Sequence, residues 1–144
     1  MIHGRFGDTS GRPYLEGLLI LTRLNIRSEI SFLVDTGSDV TLLNPLDGFR
    51  MGVDYSRLTG HADTGGIGGG MKCFLEPALV VFREADRLVT YNIDYFHISY
   101  PEGVDDTLNS ILGRDVLDRL RMVYNPSADQ LTFTVKSADY FSPL

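Results

Sequence analysis

An apolar run that ends on an acid and breaks into a glycine turn, Phe32-Leu33-Val34-Asp35-Thr36-Gly37-Ser38, sets the tightest limit on how this chain can fold. A short apolar run bounded by a turn reads as a buried strand. Such a strand passes through a core and delivers Asp35 to its edge. A carboxylate held there is costly to keep without a partner or a task. By itself, Asp-Thr-Gly is also good turn sequence, and a solvated acid opening a surface turn fits the tripeptide too.

The apolar pattern elsewhere is mostly short runs rich in β-branched and aromatic residues, which favours strands. Tyr14–Leu21, Glu29–Asp35, Val40–Leu43, Ala78–Arg83, Leu88–Ser99, Ser110–Leu112, Met122–Tyr124 and Leu131–Val135 are the expected strands. The last two flank Asn125-Pro126-Ser127-Ala128-Asp129, which is turn chemistry, so they read as a hairpin. Leu131, Phe133 and Val135 share one of its faces. One stretch reads as helical, Arg114–Arg121, with Val116, Leu117 and Leu120 on one side and Asp118, Arg119 and Arg121 on the other. Asp115 falls in its first turn, where the helix dipole favours an acid. Asn44–Leu58 is ambiguous between a long loop and a loop holding a turn of helix. The first dozen residues read as a flexible arm. The expected class is all-β with one short C-terminal helix, in a single domain over residues 1–144.

With 144 residues, one domain can bury a sufficient core. The formal charge of −6 argues against a nucleic-acid partner, because phosphate binding needs a positive surface. No apolar run is long enough to span a bilayer, so no membrane partner is expected. The first residues lack the basic-then-apolar layout of a secretory signal. Cys73 is the one cysteine, so no intramolecular disulfide can form, and the cytoplasm is the default location. His3, His61 and His97 are isolated, no pair has metal-ligand spacing, and neither metal nor organic cofactor is expected. Asp105 and Asp106 read as part of a solvated loop.

Two further motifs change the weight of the first. Glycine recurs through Thr64-Gly65-Gly66-Ile67-Gly68-Gly69-Gly70, between segments of strand character. Later, Ser110-Ile111-Leu112-Gly113-Arg114-Asp115 sets apolar residues and a glycine just ahead of the expected helix. An apolar strand into Asp-Thr-Gly-Ser, a glycine-rich hairpin, then apolar-apolar-Gly-Arg opening a short helix resembles the retropepsin-like aspartic proteases, in order and in interval. The resemblance covers roughly Tyr14 to Val135. Each motif alone is weak; the three together are specific.

The resemblance implies a closed, barrel-like β protomer and an aspartic endopeptidase acting on peptide or protein substrates. It makes Asp35 the catalytic acid/base and Thr36 the residue whose hydroxyl locks two active-site loops together across a homodimer. Gly37 would allow the tight turn. The Ser38 hydroxyl would bond the outer oxygen of the Asp35 carboxylate, favouring its charged form. Asp39 and Arg114 would form a structural ion pair, with Arg114 buried against Asp39. Gly66, Ile67, Gly68 and Gly69 would form the tip of a flap closing over the peptide, where glycine permits close backbone approach.

A second triplet, Asp63-Thr64-Gly65, follows Gly60-His61-Ala62 instead of an apolar strand and runs straight into the glycines. It lies too close to Asp35 for two separate lobes, so one useful triplet per chain implies two chains per site. The chain departs from the retroviral pattern in the extra residues between Asn44 and Leu58 and in its C-terminal hairpin. How its termini build a dimer interface is therefore left open. A catalytically weak peptide-binding or dimerisation module on the same fold is the alternative, since fold does not fix function.

Overall fold

Inward-facing apolar residues on successive strands roll one sheet into a barrel. The computed structural model describes residues 1–64, 71–102 and 107–144. In chain order the strands are β1 (Ile2–His3), β2 (Arg5–Phe6), β3 (Pro13–Leu21), β4 (Ile26–Val34) and β5 (Leu42–Leu43), followed by helix α1 (Pro45–Met51). Then come β6 (Gly60–Thr64), β7 (Met71–Glu84), β8 (Arg87–Ser99), β9 (Ile111–Leu112), helix α2 (Arg114–Leu117), β10 (Leu120–Asn125), β11 (Gln130–Val135) and β12 (Tyr140–Pro143).

β3 and β4 form a hairpin in which Leu15, Leu19 and Leu21 on one strand and Ile30, Phe32 and Val34 on the other face the core. Gly17 lies among them because a side chain there would strike the Phe82 ring. β7 pairs with both β3 and β8. β8 runs parallel to β5, β5 lies against β9, and β9 runs parallel to β4. These six strands close a barrel, and the fold is mostly β with few helices. On β8 the inward positions change parity, from Val89 and Tyr91 to Phe96 and Ile98. The register shift opposite Glu76/Ala78 gives β8 an extra residue there, which turns every later side chain to the other face. Pro77 occupies the irregularity, where a missing N–H does least harm.

The expected flexible arm is instead docked. Ile2 is buried, β1 pairs with β11, and the Gly4 amide donates to the Leu131 carbonyl at 2.8 Å. The expected helix over Arg114–Arg121 is only one turn long. Leu120 is drawn into register opposite Val135, and tertiary pairing overrides the helical pattern. The ambiguous stretch holds the longer helix, α1, with Pro45 in its first turn, Asp47 near its start, Arg50 near its end and Gly52 capping it at φ 83°. β10 and β11 meet at the expected turn, with Asp129 left-handed at φ 50°.

β12 is fastened to β8 by Asp139, which accepts from the Asn92 amide at 2.7 Å and from Arg119 at 3.0 Å. The Arg119 guanidinium also donates to Ser137 and lies 5.0 Å from the centre of the Tyr91 ring. The Arg119 hydrogen bond holds the Asp139 carboxyl below the ordinary carboxylate range, despite an opposing effect of burial. A group lowered in the folded state stabilises the fold above its unfolded value and loses that effect as pH falls through the folded one. Asp139→Asn is therefore expected to lower the denaturation midpoint at pH 7, and the gap is expected to close as the pH is taken below 3.8. A gap that persists unchanged into acid would show that the charge is not what matters.

Candidate active site

The residues of the apolar-run motif converge with those of the Gly113-Arg114 motif. β4 ends at Val34, and the Asp35 amide donates to the Leu112 carbonyl at 3.1 Å while the Leu33 amide donates to Ser110 at 2.8 Å. β9 thus holds the chain on both sides of Val34. The Gly37 amide donates to Asp35 Oδ1 at 2.9 Å, and the Ser38 amide donates to the Asp35 carbonyl at 3.2 Å. Asp35 is half-buried; Thr36 and Gly37 are exposed at the crest of the turn. Among the described residues no cationic side chain pairs with Asp35.

One implied role is corrected. The Ser38 hydroxyl donates to the Val40 carbonyl at 2.7 Å and braces its own loop instead of bonding the Asp35 carboxylate. Gly37 lies in the expected turn, which it makes without left-handed backbone, since the positive-φ glycines among the described residues are Gly11 and Gly52. A side chain at Gly37 would instead approach Asp35 Oδ1 at 3.1 Å, so the glycine leaves room for the carboxylate.

α2 is stitched to the loop by contacts that the sequence did not single out. The Arg114 amide donates to the Ser38 carbonyl at 2.8 Å, and the Gly113 amide donates to Thr41 Oγ1 at 3.1 Å. Asp115 accepts from the Thr41 hydroxyl at 2.6 Å and from its amide at 3.0 Å. Asp115 is thus more than an acid at a helix start: it fixes the far end of the loop that follows Asp35. A β-carbon at Gly113 would fall 2.2 Å from the Val40 carbonyl oxygen. Beside this, Asn44 is buried and its side chain donates to the Asn109 carbonyl, while the Ser110 hydroxyl donates to Asp47 at 2.6 Å. These contacts tie α1 to the strand that supports Asp35.

Arg114 does pair with Asp39, but at the surface. Their side chains are 47% and 81% exposed in the protomer, not buried. Exposed pairs of this kind contribute up to about 1 kcal/mol, whereas a buried pair losing one partner costs about 3–5 kcal/mol. Arg114→Ala is therefore expected to shift protomer stability by about 1 kcal/mol at most. Arg119→Ala, which loses Ser137, Asp139 and the Tyr91 ring face, is expected to shift it more. The sequence motif alone points to the reverse order. Denaturation midpoints of the two variants check the ranking.

β6 and β7 form a hairpin from Gly60 opposite Leu75 to Thr64 opposite Met71. Gly66, Ile67, Gly68 and Gly69, expected at the tip of a flap, lie outside the described residues, as do Asp105 and Asp106. Asp63 falls on β6 opposite Lys72. At the hairpin root, the Phe74 and Tyr100 rings stack at 4.3 Å, and the Tyr100 hydroxyl hydrogen-bonds His61. Below it, buried Glu76 accepts two bonds from Arg23 Nε and one from its Nη2, which also donates to the Arg57 carbonyl. Nothing in the spacing of Arg23 and Glu76 announces this pair; a charged residue amid an apolar strand run was its only signal. Among the described residues no group of three His, Cys, Asp or Glu side chains is placed to hold a metal ion. Nor, among the described residues, is any helix long and apolar enough to cross a membrane.

A half-buried aspartate thus stands at the end of a core strand, backed by the Gly113-Arg114 turn, on a six-stranded barrel. No protein-family model and no curated protein matches the sequence. Solved structures do. EIAV protease, complexed with the inhibitor HBY-793, superposes with a TM-score of 0.50 at 23% identity, over 78% of this chain and 90% of that one. A retropepsin-like aspartic protease from Rickettsia conorii superposes with a TM-score of 0.54 at 18% identity, over 92% of this chain and 88% of that one. The fold is that of the retropepsin-like aspartic proteases.

Proposed function

We propose that this chain is one half of an aspartic endopeptidase, with Asp35 from each of two copies forming the active site. The observation that carries this reading is the placement of Asp35. It sits half-buried at the end of a core strand, fixed by Leu112 and Gly37, without a neutralising cation among the described residues. Such a carboxylate is held for chemistry, and alone it is half of an acid/base pair. Two carboxylates side by side cannot both be charged at low cost, so they share a proton and titrate together. The charged one accepts a proton from water as the water attacks the peptide carbonyl. The neutral one hydrogen-bonds that carbonyl, and a proton then passes to the leaving nitrogen.

Thr36, exposed at the crest, meets its copy across the twofold axis. Gly66, Ile67, Gly68 and Gly69 close over the peptide and exclude water. No cofactor takes part. The proposed location is the cytoplasm, where a chain with one cysteine needs no oxidising surroundings.

Mixing wild-type chains with Asp35→Asn chains tests the shared site. Once subunits have exchanged, activity is expected to fall with the square of the wild-type fraction, because mixed dimers hold one carboxylate and one amide. Activity that only tracks the amount of wild-type chain would mean that each protomer works alone. A broad peptide-cleavage screen with pepstatin inhibition separates the enzyme from a binding module on the same fold.

A further inference from the structure

A polar pocket opens on the face of β4 that leads to Asp35. Along β4, half-buried Ser31 and Leu33 alternate with buried Ile30, Phe32 and Val34. The strand's period of two therefore sets Ser31, Leu33 and Asp35 on its outer face. At roughly 3.3 Å per residue, Ser31 stands about 13 Å from Asp35. There it lines a pocket of about 340 Å³ together with Arg5, Ser10, Tyr14, Asp47 and Arg50.

The acceptors in these walls are already engaged. Glu16, behind the pocket, takes the Ser31 hydroxyl, whose oxygen lies 2.7 and 2.8 Å from the two carboxylate oxygens, and Arg5 Nε at 3.2 Å. Asp47 accepts from the Ser110 hydroxyl at 2.6 Å. Asn109, also in the lining, accepts the Tyr14 hydroxyl at 3.1 Å on its side chain and the Asn44 side chain on its backbone carbonyl. The donors are not engaged to the same degree. Arg50 is exposed and pairs with no acid among the described residues. Arg5 is held in place, its guanidinium carbon 4.8 Å from the centre of the Tyr14 ring and its Nη2 3.3 Å from Ser31, which leaves Nη1. The Ser10 hydroxyl accepts from the Arg12 amide at 3.2 Å and keeps its own hydrogen to give.

A pocket of spare donors fits a ligand made only of acceptors. A carboxylate is such a group, and a guanidinium fork matches its two oxygens. A phosphate dianion fits less well, because Asp47 stands in the same wall and Glu16 just behind it. We infer that this pocket takes the side chain of a glutamate or aspartate of the substrate, held by Arg50 with Arg5 beside it. The inference rests on the reading of the chain as a peptidase that cuts at Asp35. An extended peptide covers about 13 Å in roughly four residues, so the acid stands about four residues from the scissile bond. In a two-chain site each copy brings one such pocket, and the preference recurs on both sides of that bond.

Peptides that differ at one residue test this, with Glu, Gln or Lys walked outward from the cleaved bond. Wild type is expected to favour Glu over Gln by about 3–5-fold in kcat/KM, the scale of a partly exposed charge pair, with the maximum about four residues out. The preference is expected to shrink in high salt. Arg50→Gln is expected to bring the two peptides level. Arg50→Glu is expected to favour Lys over Glu, a reversal that misfolding could not produce. Lys136→Gln, which removes an exposed cation beyond β11, is expected to keep the wild-type ratio. Phosphoserine at the same place is expected to gain no more than Glu; a larger gain would overturn the carboxylate assignment.

Binding of the same peptides to the Asp35→Asn chain, followed by fluorescence anisotropy, keeps the pocket and the peptidase apart. Cleavage without a Glu preference at any place, or with one that Arg50→Glu does not reverse, would overturn the pocket and leave the peptidase standing. A Glu preference in binding, with no cleavage by wild type, supports the pocket and counts against the peptidase. Equal binding of the Glu and Gln peptides with no cleavage would overturn both.

Discussion

Replacing Asp35 with asparagine is expected to cut peptide hydrolysis by roughly 10²–10⁴-fold, with the folded protomer as stable as wild type. The stability expectation follows from what Asp35 touches. Among the described residues its carboxylate accepts a hydrogen bond from the Gly37 amide, which an asparagine oxygen can accept equally well. The activity expectation follows from what an amide cannot do: share a proton with a second carboxylate. Asp63→Asn is the matched control and is expected to retain most activity, because Asp63 lies on the β6 arm opposite Lys72. The measurement is initial rate on a cleavable peptide, with thermal melts alongside. Full activity in Asp35→Asn, or its loss only in Asp63→Asn, would overturn the site.

Gly113→Ala is expected to lower stability and activity together, by about 1–3 kcal/mol or more in stability, the range for forcing an extra carbon into packed structure. The added carbon would sit 2.2 Å from a backbone oxygen and 2.4 Å from the carbonyl carbon of Val40. No rotamer change relieves a clash with backbone; the 38–41 segment or α2 must move. That segment carries the Ser38–Val40 bond and the Thr41–Asp115 clasp, so the displacement reaches Asp35. Gly37→Ala makes the contrast, since its new carbon would approach only the end of the Asp35 side chain, at 3.1 Å. It is expected to impair cleavage more than stability. Denaturation midpoints and cleavage rates for the two variants check the pattern; a Gly113→Ala chain as stable as wild type would mean that the loop yields freely.

Much of this architecture was legible because strand burial leaves a local trace. Leu15, Leu19 and Leu21, and Ile30, Phe32 and Val34, alternate as a half-buried sheet requires, and the strands they predict are present. α1 was less legible. Seven residues give too short a window for helical periodicity, although Pro45 and Gly52 mark its ends. The length of α2 was not legible at all: Val116, Leu117 and Leu120 are buried as a helix would bury them, yet Leu120 is buried from a strand. A pattern of three apolar residues cannot distinguish the two.

The sequence by itself determined that Asp35 ends a core strand and that a glycine and an arginine open a short helix. These are properties of contiguous residues, and contiguous residues share their local environment whatever the rest of the chain does. The tertiary structure alone decided what those residues touch. It set the Ser38 hydroxyl on Val40, clasped Thr41 with Asp115, brought Arg114 to Asp39 at the surface and placed Thr36 beside β10. Apart from the local Ser38–Val40 bond, each of these depends on segments far apart in sequence meeting in one barrel, where the closure of the sheet, and not the nearest neighbours in the chain, fixes which groups stand within bonding distance.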